Sequence, residues 1–141
     1  MELTRTFTTD QYERALESWQ WLDLAGKEPV FATPFGDVVL RAADGFWWLD
    51  ALGGELSRPW ESIEAMRAEL NTPEGQERYL LASLVYVADQ RGLVPDQDQV
   101  YGFLQPPALG GPVDAENVEL VDFVVALNIA GQIHEQIRSL P

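Results

Sequence analysis

Apolar positions change their period along this chain, and the changes divide it into elements. Thr8, Thr9 and Asp10 are helix-capping residues. After them Tyr12, Leu16, Trp19 and Leu22 recur at helical spacing, while Glu13, Arg14 and Glu17 face elsewhere. This spacing predicts a helix from about Thr9 to Leu24, closed by Gly26, with Trp19 and Trp21 in the core. Short β-rich runs follow: 30–33 up to Pro34, 37–41 up to Asp44-Gly45, 46–50 up to Gly53-Gly54, and 55–58 up to Pro59. They predict a meander of antiparallel strands. Phe46 and Trp48 alternate with Trp47, so the third run carries aromatics on both faces and is covered on both.

A helical period returns in the second half. Ser62 to Leu70 reads as a short helix beginning near Trp60. Thr72-Pro73 supplies a cap and a first-turn proline for a helix running to Arg91 and stopped by Gly92. Its broad stripe of Tyr79, Leu80, Leu84, Val87 and Ala88 predicts the most buried helix. From Leu93 to Val113 the chain is loop-like, with a short strand possible at Val100–Phe103. The stripe Val121, Val125, Ile129, Ile133, Ile137 predicts a helix over 128–140, and 118–127 stays open between strand and helix. The sum is an α+β fold: an antiparallel meander of three to five strands packed against several helices, in a single domain spanning 1–141.

Composition changes this picture at one point. The 141 residues are 46% apolar with five tryptophans, enough for a real core despite a net charge of −14. That charge reads either as a soluble, self-repelling surface or as an acidic face built for a cationic partner. Gly92 to Ile137 holds seven carboxylates and no lysine or arginine. Such a surface repels nucleic acid and anionic membranes. There is no cysteine for a disulfide, and no signal-like N-terminus or membrane-length apolar run, so the expectation is a cytoplasmic protein.

Catalytic candidates are sparse. His134 is the single histidine and reads as structural. Carboxylate pairs such as Asp96/Asp98, Asp114/Glu116 and Asp37/Asp44/Asp50 read as solvated turn acids unless one is desolvated. No metal or cofactor is expected.

An ordered set of motifs then adds information. Phe35-Gly36-Asp37-Val38, Gly45 to Asp50, Glu55 to Trp60 and Leu70 to Gln76 are joined by Pro106 to Gly111, Asn117 and Gly131 to Ile137. Together they resemble a C-terminal domain family of type VI secretion immunity proteins that neutralise a DNase effector. The resemblance runs from 29 to 141, after an N-terminal helical segment, 1–28. Family members often carry a further N-terminal domain, whereas only about thirty residues precede the resemblance here, so the toxin could differ in class. The resemblance implies a non-enzymatic inhibitor that occludes a basic toxin of nuclease or deaminase type. The steering charges would be Asp44, Asp50, Asp96, Asp98, Asp114 and Glu116. The anchors would be Trp47, Trp60, Tyr101 and Phe103. The alternative is an adaptor or peptide-binding module that uses the Tyr101–Gly111 loop.

Overall fold

The computed structural model describes residues 2–141. Four strands, β1 (Glu28–Ala32), β2 (Val38–Ala42), β3 (Gly45–Asp50) and β4 (Glu55–Trp60), form an antiparallel meander in the order β1-β2-β3-β4. Alternation sorts its side chains. Val38, Leu40, Leu49 and the half-buried Trp47 meet helix α1 (Thr9–Leu16) and helix α5 (Phe123–Arg138) on one face. Val39, Phe46 and Trp48 meet helix α2 (Ile63–Leu70) and the turn after it on the other. The third strand is therefore covered on both faces, as its aromatics predict. A third cluster, Phe35, Val85, Ala88, Tyr101 and Val118, lies under helix α4 (Ala82–Gln90) and a two-stranded sheet of β5 (Gln99–Phe103) and β6 (Val118–Asp122). Burying each large apolar side chain contributes roughly 1.5–3 kcal/mol.

Four predicted boundaries differ from the structure, each for a local reason. The first helix ends at Leu16 instead of Leu24 and passes through a 3-10 turn, Glu17–Trp19. Carbonyls that would continue it are taken by side chains: Gln20 Nε2 donates to Leu16 O, and Trp21 Nε1 to Ser18 O. Trp19 then turns inward, and its Nε1 donates to Leu127 O at 2.8 Å.

β4 runs through Pro59 rather than stopping before it. It is an edge strand, and the register slips between Phe46↔Trp60 and Trp48↔Ser57, so the proline sits in a bulge where no ladder donor is needed. Opposite it, Gly45 has φ +134, and a Cβ there would lie 2.5 Å from Trp60 O.

The predicted 72–91 helix is broken. A single turn α3 (Pro73–Gly75) leads into a π-turn, Gln76–Leu80, and then Leu81 adopts a left-handed φ of 52°. The break changes the direction of the side chains. Tyr79 and Leu80 enter the cluster with Trp60 and Met66, whereas Val85 and Ala88 enter the one with Phe35 and Tyr101. Helix α4 is peripheral rather than central, with Tyr86 56% and Val87 40% exposed.

The open segment 118–127 resolves into both alternatives. β6 ends at Asp122, whose carboxylate accepts from Val125 N at 3.0 Å and starts α5 at Phe123, five residues before the predicted helix. The stripe predicted for its core face points outward: Val125 is 55% and Ile129 49% exposed. The buried face is Phe123, Leu127 and Gly131.

Candidate functional site

The outward apolar face of α5 lines a groove. Ala126, Ile129, Ala130 and Ile133 form one wall. Gly102, Phe103, Glu119 and Val121 of the two-stranded sheet form the other, and Pro106–Ala108 close one end. Phe35, Gly36, Ala51, Leu52, Tyr101, Leu127 and His134 complete it around a cavity of about 210 Å³. Small residues keep this space open. Gly102 stands opposite Glu119, and a Cβ on it would lie 2.8 Å from a Val121 methyl.

The groove is fixed from below and from the side. Ala51 N donates to Asp37 Oδ1 at 2.7 Å, and Ala51 O accepts from His134 Nε2 at 2.9 Å. His134 also packs against Trp19, at 5.8 Å between ring centres. Asn117 holds the loop. Its Nδ2 donates to Gln105 O and Pro112 O, and its Oδ1 accepts from Gln105 N.

Among the described residues Asp37 is the one buried carboxylate, its pKa pushed up to about 7 by burial and then by the charge of Asp50. Its oxygens accept from Ala51 N and from Thr33 Oγ1. It does not line the groove. Its neighbour Asp50 accepts from Leu52 N and Gly53 N. The pair clasps two turns, and neither residue lines the cavity as a glycosidase-type dyad would.

Of the predicted contact residues, Tyr101 and Phe103 meet at the groove, both packed on Phe35, and the others are dispersed. Asp44 and Asp50 terminate opposite ends of β3, roughly 20 Å apart at strand rise. Asp44 accepts from Trp47 Nε1 at 2.9 Å, which, with Arg58 and Lys27 nearby, holds its carboxyl below the usual range. Lys27 Nζ lies 4.4 Å from the Trp47 ring. Asp96 and Asp98 form a turn before β5, where Asp98 Oδ1 accepts from Gln11 Nε2. Asp114 caps the turn before β6, and Glu116 is exposed beside it.

Trp60 and Tyr101, expected as surface anchors, are core. They are 2% and 3% exposed, and their polar atoms are bonded inward, Trp60 Nε1 to Glu69 and Tyr101 Oη to Leu93 O. Phe103 is half-buried, stacks on Phe35 at 5.2 Å and lines the groove. The α5 wall was not among the expected contacts, because its stripe reads as core. The signal was an excess: apolar positions on α5 exceed what one buried face can hold.

Among the described residues no helix is long and apolar enough to cross a membrane. No curated protein matches the chain. The crystal structure of Atu4351 from Agrobacterium tumefaciens has a similar fold, with a TM-score of 0.55 and 16% identity over 92% of this chain. The match spans 66% of that protein, just under two thirds of its length. The family model described as T6SS immunity protein Tdi1, C-terminal, matches residues 61–134, which is more than half of the chain. That stretch includes β5, β6, the Asn117 loop clasp and all of the α5 groove wall, and the chain belongs to this family of type VI secretion immunity proteins.

Proposed function

We propose that this protein binds a cognate secreted antibacterial toxin and occludes its active site, and that the toxin acts on nucleic acid as a nuclease or base-modifying enzyme. The observation that carries the reading is the charge distribution: −14 overall, with seven carboxylates and no base between Gly92 and Ile137. A toxin that grips nucleic acid needs a basic cleft. An acidic surface is steered to such a cleft, raising the on-rate roughly 10–10³-fold at low salt. Membership of an immunity family supports the neutralising role. Inhibition by occlusion asks for affinity rather than catalytic groups, which suits a chain in which the buried Asp37 carboxylate is occupied in holding turns. The steering charges in this reading are Asp44, Asp50, Asp96, Asp98, Asp114 and Glu116, and the surface aromatics are Trp47 and Phe103. It places the protein in the cytoplasm, where a toxin against nucleic acid acts.

The test is growth of a susceptible bacterium expressing the toxin encoded beside this gene, with and without this protein. Rescue together with a co-purifying complex is the expected result. Rescue with no complex would point to an enzymatic antidote instead, and failure to rescue would end the immunity reading.

A further inference from the structure

Helix α5 carries two apolar faces, and the fold covers one. Phe123, Leu127 and Gly131 pack inward. Ile129 lines the groove and stands about half exposed; outside the lining, Val125 on α5 and Leu104, Leu109 and Val113 on the loop after β5 are each more than half exposed. Exposed apolar surface gathered around a cavity is the mark of an interaction site. We propose that the groove between α5 and the β5–β6 sheet seats one large aliphatic or aromatic side chain from a lysine- or arginine-bearing segment of the toxin. This rests on the immunity reading and names the contact it uses.

Size fixes the scale of the occupant. A closed apolar cavity of roughly 150 Å³ holds a benzene ring, so about 210 Å³ takes one large side chain. Charge fixes its surroundings. The groove lining includes Glu119 and no lysine or arginine. The side-chain ion pairs among the described residues join Arg5–Glu2, Arg14–Asp10, Arg41–Glu28 and Arg58–Asp44. All of these acids precede residue 92, so among the described residues no side-chain cation pairs with a carboxylate between 92 and 137. An occupant with flanking cations supplies the missing charge at the rim while its apolar side chain fills the centre, the usual division of an interface. Rigidity adds to the affinity. The Asn117 clasp and the Ala51–His134 bond hold the groove open, so little ordering entropy is lost on binding.

The test uses the purified protein and the toxin domain encoded beside its gene, with affinity measured by calorimetry and contacts mapped by hydrogen exchange. Ala126→Phe fills the groove from a half-buried position and should weaken binding about 100-fold. Ile129→Ala removes part of a wall and should weaken it about tenfold. Tyr86→Ala, exposed on α4, should stay within about twofold. Glu119→Lys should slow association about tenfold at low salt, less at high salt. Ile129→Ala decides the matter if Ala126→Phe fails to fold. A wild-type complex that protects growth, with both groove variants binding as tightly as wild type, would overturn the groove and leave immunity standing. Loss in the groove variants without any effect of Glu119→Lys or salt would overturn the basic character of the occupant. If the wild type forms no complex, immunity by binding fails and the groove assignment with it.

Discussion

Burial, and then the charge of Asp50, push the Asp37 carboxyl up to about 7, against the hydrogen bonds from Ala51 N and Thr33 Oγ1 that favour its ionised form. A carboxyl raised in the folded state keeps a proton that the unfolded chain has released. Its contribution is therefore most favourable below the unfolded value near 4 and is lost as pH rises to about 7. Asparagine imitates the protonated form, so Asp37→Asn should remove this slope. Relative to the variant, the wild type should lose on the order of 4 kcal/mol across that window. Melting temperatures of both proteins between pH 4.5 and 8.5 check it, and a difference independent of pH would assign the titration elsewhere. In sequence, Asp37 is indistinguishable from the other turn acids. Its burial depends on Ala51, fourteen positions on, and no local pattern carries that distance. Trp60 and Tyr101 pose the same difficulty in reverse: an aromatic reads alike as anchor or core until its neighbours are known.

Elements were legible where one period held. The meander, its turns at 44–45 and 53–54, and the caps at Thr8 and Thr72 follow from residue type and spacing. Elements serving two cores were not legible. The helix after Thr72 switches cluster at Leu81, whose left-handed backbone costs a side-chain-bearing residue about 1–2 kcal/mol. Leu81→Gly should relieve that cost while losing some packing, for a net change within about 1 kcal/mol. Leu80→Ala, in the adjacent buried position, should cost about 2–5 kcal/mol. Denaturant melts separate the two, and equal losses would mean that Leu81 is not strained. Helix α5 sets a second contrast. Mid-helix Gly131 should favour alanine by about 0.5–1 kcal/mol in isolation. Here a Cβ would lie 2.2 Å from Ser18 Oγ and 2.9 Å from Trp19 Cδ1. Overpacking of about 1–3 kcal/mol outweighs the gain, so Gly131→Ala should destabilise by about 1–2 kcal/mol. A stabilised variant would show that α1 and α5 can part at low cost.

At the scale of the whole molecule, charge and shape separate into two roles. The acids that would steer a partner are spread over several turns, whereas the groove that would hold it is a single place. Reversing Asp114 and Glu116 together to lysine should slow association about tenfold at low ionic strength and hardly at all near 0.5 M salt, where the screening length falls to a few ångströms. Stopped-flow mixing across a salt series checks this, and a salt-independent rate would remove charge mimicry. The sequence carried the acidic bias openly. It hid the groove, because a wall built from residues on α5, β6 and a loop exists only after folding brings them together. The contact of α1 and the 3-10 turn after it with α5 has a kinetic consequence. Ser18 bonds Asn128 O across 110 positions, Trp19 bonds Leu127 O across 108, and Asn128 bonds Arg14 O across 114. Closing so long a loop comes late, because its entropy is lost before any contact rewards it. Gly131→Ala and Trp19→Phe should therefore speed unfolding and leave the refolding rate nearly unchanged. The lifetime of the folded protein, rather than its rate of formation, would then be set where its two most distant helices meet.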